Sequence, residues 1–232
     1  MSSRRGHFRL NILAVAGVAV LALALAVAAG AAVVGIYTNS FNTKPQFREI
    51  QQITKSEACR KTFKAAAKSM EIRVRKAPRA CFYRPPVQGS NPRPDHRLDV
   101  DGKIIVSTPK AIRGDAYLTA SLRVGDGRRY ELRVFPKGKR FELRRQPTNA
   151  GFPVVGTHGD IRKVGAVNKI RLIATGGQIR GIANGTQIAS VTDPNPGQLD
   201  GVKIQFGIGN EADSGRNTEG RINRVKVSVP AP

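Results

Sequence analysis

The chain has 232 residues, 40% of them hydrophobic, with two cysteines, no tryptophan and a formal charge of +23 at neutral pH. That length holds one domain of ordinary size plus an appendage, or two small domains. A charge surplus this large excludes a neutral surface and directs binding toward anions: nucleic acid, acidic lipid headgroups or acidic wall polymers.

Residues 1–9 form a basic tail with Arg4, Arg5 and Arg9, and Leu10 to Ile36 carries no charge and, Asn11 aside, almost nothing polar. A bilayer span needs about 20 apolar residues, whereas the apolar core of a cleaved signal is about 7 to 15 residues long. Residues 10–36 are therefore predicted to be a single-pass transmembrane signal anchor in the cell membrane. Small residues from Ala28 to Ala32 leave cleavage as the alternative. Either way the remainder is expected outside the cytoplasm, although Lys44 and Arg48 on the far side weaken the positive-inside signal. Residues 37–55 are predicted to be a polar spacer, and 56–232 the exported domain. Cys59 and Cys81 follow the anchor, where an oxidising compartment would pair them across a loop of about 22 residues; two buried thiols are the alternative.

Ser56 and Glu57 predict the start of a short helix running to Ser69, with Lys61, Lys64 and Lys68 on a solvated face. Met70, Ile72 and Val74 alternate as a strand, and Cys81 to Tyr83 begins another. Pro85 to Pro94 is a surface loop. Leu98 to Val106 reads as a hairpin turning at Asp101-Gly102. After the meander described next, Gly151 to Gly165 is irregular. Asn168 to Ala174 and Gln178 to Ala183 are strands, and Asn184-Gly185 is the strongest hairpin turn in the chain. Val202 to Ile208 and the alternating Val225, Val227 and Val229 complete a series of short strands, which predicts an all-β sandwich.

The stretch Ala116 to Arg145 alternates strictly enough to assign faces. Ala116, Leu118, Ala120, Leu122 and Val124 share one side with Tyr130, Leu132, Val134, Phe141 and Leu143. A three-residue loop, Gly125 to Gly127, pairs Leu122 with Tyr130 and Ala120 with Leu132. A tight turn at Lys137-Gly138 pairs Phe135 with Arg140, setting Glu131 opposite Arg144 and Arg133 opposite Glu142. The other side is then a polar surface of Tyr117, Thr119, Ser121, Arg123, Arg129, Glu131, Arg133, Arg140, Glu142 and Arg144.

The order of motifs resembles a known family. YELRVFPKGKRFELRR is followed by VNKIRLIATGGQIRGIANGTQIASVTD, then Gly201, FGIG and a closing VKVSV strand. Asn168, Gly176-Gly177, Asn184-Gly185 and Asp193 recur in this order in the concanavalin A-like lectin/glucanase jelly rolls, in particular the laminin-G-like and 3-keto-disaccharide-hydrolase-like branch. The whole chain also resembles membrane-anchored actinobacterial proteins. The resemblance covers the C-terminal half, and its turn motifs imply a jelly-roll sandwich of two antiparallel sheets rather than an activity.

Catalytic candidates are few. Glucanases of this superfamily carry Glu-x-Asp-x-x-Glu on one strand, which no stretch here matches. A hydrolase needs two carboxyl groups about 5 to 9.5 Å apart; Glu131, Glu142 and Asp115 are the candidates, but an arginine opposite each glutamate suits a salt ladder better than proton transfer. His7, His96 and His158 form no ligand-spaced cluster, so neither metal nor cofactor is expected. Asp193, Asn195 and Asp200 offer calcium few oxygens and read as a turn. Tyr117, Arg123, Arg129, Arg133, Arg140 and Arg144 are the candidate contacts for an anionic glycan or wall polymer, with a ligand-free solvated face as the alternative. A hydrolase of the 3-keto-disaccharide type is the enzyme alternative; nucleic-acid binding lacks a motif and is disfavoured by export.

Overall fold

The structure, a computed structural model, describes residues 33–75, 79–87, 95–107, 115–149, 151–198, 203–211 and 217–230. In chain order these form β1 (Val33–Asn39), α1 (Lys44–Arg48), β2 (Gln51–Gln52), β3 (Cys59–Lys64), β4 (Ser69–Val74), β5 (Arg79–Arg84), β6 (His96–Ser107), β7 (Ala116–Gly125) and β8 (Arg128–Phe135). Then come β9 (Arg140–Gln146), β10 (Val154–Thr157), β11 (Asn168–Thr175), β12 (Gln178–Ala183), β13 (Thr186–Thr192), β14 (Lys203–Asn210) and β15 (Thr218–Pro230).

Two antiparallel sheets face each other. Sheet A runs β13-β12-β11-β6-β15-β4-β3, with β1 also paired to β15; sheet B runs β10-β9-β8-β7-β14-β5-β2. Alternation decides what lies between them: Leu98, Val100, Leu172 and Val227 of sheet A meet Leu118, Leu132, Leu143 and Phe206 of sheet B, all fully buried. Each such side chain stabilises the fold by about 1.5 to 3 kcal/mol relative to exposure. The all-β jelly-roll sandwich expected from the strand pattern is the architecture found.

Residues 37–55 are part of the sandwich and not a spacer. β1 adds to β15, Phe41 and Ile50 are buried, and α1 is capped by Thr43 and packs Phe47 against Phe63. The sequence hid this because Asn39, a polar residue, is itself buried and donates to the Gln46 carbonyl. Nor is 56–69 a helix: Cys59 to Lys64 pairs with Ser69 to Val74, and the alanines form only a 3₁₀ turn ended by Lys68 at φ 43°. Pairing with β4 outweighs the helix propensity of three alanines. The Asp101-Gly102 hairpin is absent as well, β6 being continuous. Gly102 serves close packing, since a Cβ there would lie 2.8 Å from the Arg221 carbonyl oxygen.

Residues 33–36 of the apolar run belong to β1; the basic tail and the run's remainder, 10–32, lie outside the described residues. Among the described residues no helix is long and apolar enough to cross a membrane.

Cys59 and Cys81 form a disulfide with Cα atoms 5.5 Å apart, joining β3 of sheet A to β5 of sheet B. Closing a 22-residue separation restricts the unfolded chain by about 3 kcal/mol. Replacing both cysteines by alanine is expected to lower unfolding free energy by about that amount in urea titrations. An unchanged midpoint would contradict a bridging role.

Candidate functional site

The registers inferred for the meander hold: Leu122 faces Tyr130, Ala120 faces Leu132, Glu131 faces Arg144, and Arg133 faces Glu142. Tyr117, Thr119 and Ser121 of β7 therefore share the outer face of sheet B with Arg129, Glu131, Arg133 and Phe135 of β8 and with Arg140, Glu142 and Arg144 of β9. β14 and β5 extend it with Gly207, Gly209, Phe82 and Arg84.

Much of this face is not solvated. Glu131 and Thr119 have no exposed surface, and Arg133 is 8% exposed. The ion partners are also not those directly opposite. Glu131 is held by Arg133 at 3.0 Å and Arg129 at 3.4 Å, both on its own strand, and accepts a hydrogen bond from the Thr119 hydroxyl at 2.9 Å. Arg133 also reaches Glu211 at 2.6 Å, which Arg140 approaches at 3.3 Å while donating to Glu142 at 2.5 Å. Residues two apart on a strand share a face, and long guanidinium stems reach along it as easily as across.

Beneath the cations lies an aromatic layer. The Arg129 guanidinium sits 5.0 Å from the Phe82 ring centroid, Arg133 4.7 Å from Tyr117, and Arg140 3.7 Å from Phe135. Tyr117 and Phe135 are neighbours at 5.1 Å. Phe135, the large apolar residue of β8 on the polar side, is thus fully covered. Tyr117 occupies the space of an absent side chain, as a Cβ on Gly209 would lie 2.2 Å from its ring.

Burial opposes ionisation of Glu131, but the charges of Arg133 and Arg129 and the bonds they and Thr119 donate outweigh it, holding its pKa below the ordinary range. Such a carboxylate is poorly suited to donate a proton. Glu142 is paired with Arg140, and Asp115 stands at the start of β7, where its carbonyl accepts the Glu211 amide. The three candidate carboxyls are not gathered into an acid–base pair.

Arg123 leaves the face altogether. The loop is a two-residue Asp126-Gly127 turn closed by Gly125 opposite Arg128, so the extra residue falls as a bulge between Leu122 and Gly125, with Arg123 at φ 51°. Its guanidinium is buried against the Tyr130 ring and donates to the Gly176 carbonyl at 2.7 Å and to Asp95 at 3.2 Å. Arg145, opposite Tyr130 and in phase with Phe141 and Leu143, also points inward. That phase was readable in the sequence, though its counter-ion was not. Arg145 belongs to a polar cluster around Asp193. Tyr130 and Arg145 bond one of its carboxylate oxygens at 2.5 and 2.7 Å, and the Asn149 side chain and Asn195 amide bond the other at 2.7 and 2.8 Å. With both oxygens taken by donors, Asp193 anchors a turn and is not set up for calcium; Asp200 lies outside the described residues. Among the described residues no His, Cys, Asp and Glu group could hold a metal.

A groove of about 280 Å³ lies elsewhere, on the outer face of sheet A, bounded by Asp99, Asp101, Lys169, Arg171 and Arg224. Its carboxylates are already paired with arginines.

This architecture is the concanavalin A-like jelly roll. A Bacillus licheniformis β-glucanase superimposes with a TM-score of 0.59 over 84% of this chain and 98% of its own, at 10% identity. The Crh5 transglycosylase gives 0.60 over 87% and 86%, also at 10% identity. A galectin-like protein of unknown function from Bacillus subtilis gives 0.56 over 85% and 97%, at 12%. No protein-family model and no curated protein matches the sequence.

The folded pKa of Asp193, like that of Glu131, is depressed: burial raises it, but the bonds from Tyr130, Asn195, Arg145 and Asn149 prevail. The unfolded chain therefore binds these protons more tightly. The stability they contribute is present above the ordinary carboxylate pKa and is lost as pH falls through that range toward the folded values. Urea midpoints from neutral to strongly acidic pH should decline accordingly. Asp193→Asn should lower the neutral-pH midpoint and flatten the decline, whereas a profile parallel to the parent would contradict the assignment.

Proposed function

We propose that the chain is a membrane-anchored, exported, non-catalytic binding module whose sheet B face takes a carboxylate- or phosphate-bearing glycan or wall polymer. The observation that carries this is the excess of guanidinium over carboxylate on an aromatic-backed face. Arg84, Arg129, Arg133, Arg140 and Arg144 stand against Glu131, Glu142 and Glu211. Arg144 makes no ion pair among the described residues, and Arg129 and Arg140 remain partly exposed over Phe82 and Phe135. Planar forks match carboxylate and phosphate geometry, and those held over aromatic rings lose less freedom on binding. The fold neighbours include a β-glucanase and a transglycosylase, which supports a glycan as the partner class. The buried, arginine-flanked Glu131 supports binding over hydrolysis.

Arg133 is a poor variant for a test, because removing it would strand Glu131. Arg129→Ala with Arg144→Ala in the full chain is expected to weaken binding to a polyuronate or teichoic polymer at least about tenfold, the equivalent of about 1.4 kcal/mol. Neutral dextran should bind neither form. Equal affinity of parent and double variant in calorimetry would contradict the proposed face.

A further inference from the structure

The outer face of sheet B already holds a carboxylate between two of its arginines. Glu211, the residue after β14, sets Oε1 2.6 Å from Arg133 and Oε2 3.3 Å from Arg140. One planar group thus spans two guanidinium groups. These are the cations that lie over the neighbouring rings of Tyr117 and Phe135, which keep them side by side. Two like charges held together in this way need an anion between them.

The three carboxylates of the cluster are not equivalent. Glu131 lies within β8 and is fully enclosed, Glu142 lies within β9 with 13% of its side chain exposed, and Glu211 stands outside the strands at 34%. The Glu211 amide is fixed by the Asp115 carbonyl, so rotation of its own side chain is enough to move the carboxylate away. Arg133 would still donate to Glu131 at 3.2 Å, and Arg140 to Glu142 at 2.5 Å. Neither guanidinium is then stranded. What opens is one nitrogen of each arginine, Nη1 of Arg133 and Nη2 of Arg140, spaced for the two oxygens of one carboxylate. Charge makes the same selection, because Arg129, Arg133 and Arg140 are balanced by Glu131, Glu142 and Glu211. A monoanion in place of Glu211 restores that balance, whereas a neutral hydroxyl does not and a phosphate dianion exceeds it.

We infer that Glu211 is a built-in stand-in for the ligand's carboxylate, occupying a subsite between Arg133 and Arg140 from which a uronate of the bound polymer displaces it. This rests on the anion-binding reading of sheet B above and narrows it to carboxylate-bearing sugars. The resident carboxylate also sets a threshold, since apparent affinity falls by the fraction of chains in which the subsite is open. A lone small acid competes poorly, while a polymer that also engages Arg129 and Arg144 gains from its linked contacts.

Calorimetry of the full chain with galacturonate, glucose and inorganic phosphate tests this. Glu211→Ala and Glu211→Gln should each bind galacturonate at least about fivefold more tightly than the parent. Phosphate should gain less, and glucose should bind none of the three chains. Glutamine keeps the side chain's length without its charge, so it carries the test if the alanine variant does not fold. Absent, unchanged or weakened galacturonate binding in the variants, or an equal gain for phosphate, would overturn the proposal. A polyuronate separates it from the reading on which it rests. If the polymer binds parent and Glu211 variants alike and the Arg129→Ala, Arg144→Ala chain weakly, the face stands and the stand-in is wrong. Galacturonate binding gained in the Glu211 variants, with no chain binding the polymer, would keep the subsite and contradict the polymer reading.

Discussion

The carboxylate of Glu131 is enclosed on the side of sheet B that faces away from the core, and a buried charge persists only where cations and donors surround it. Arg129 and Arg133 are therefore drawn down along their strand, and Thr119 turns its hydroxyl to the same carboxylate. Held low, the guanidinium planes need flat surfaces, which Phe82 and Tyr117 provide. Tyr117 in turn needs the missing side chain of Gly209. Gly209, the rings of Phe82 and Tyr117 and the covering by Arg129 and Arg133 thus follow from one ionised group.

A second carboxylate does comparable work on the inward side. Asp193 collects Tyr130, Arg145 and Asn149, tying the segments after β9 and β13 to the meander. Arg123 reaches the neighbouring turn at Gly176 through a backbone bulge. Two arginines inside an apolar sandwich would be costly alone; here each has a carboxylate and a carbonyl partner.

Strict alternation made the meander legible, because turn parity fixes register wherever one face is apolar. Glu131 opposite Arg144 and the inward Leu132 and Leu143 follow from it directly. Alternation says nothing of how far a long side chain reaches, so it predicted Glu131 pairing across strands where the structure pairs it along its own. It also assumes regular geometry, and the bulge at Arg123 shifted that residue to the other face. Pattern failed differently near the N-terminus. The stretch from Tyr37 to Lys55 is polar enough to read as a spacer, yet Asn39, Phe41 and Ile50 are buried through contacts made with distant strands. Gly102 looked like a turn because close packing and tight turns both demand glycine.

The most direct measurement is arginine modification by phenylglyoxal, mapped residue by residue on the full chain with and without a soluble polyuronate. Selective protection of Arg129, Arg140 and Arg144, absent with neutral dextran, is the result expected of an anion-binding sheet B face. Unchanged reactivity at those three with protection confined to Arg60 and Arg180 on sheet A would contradict it.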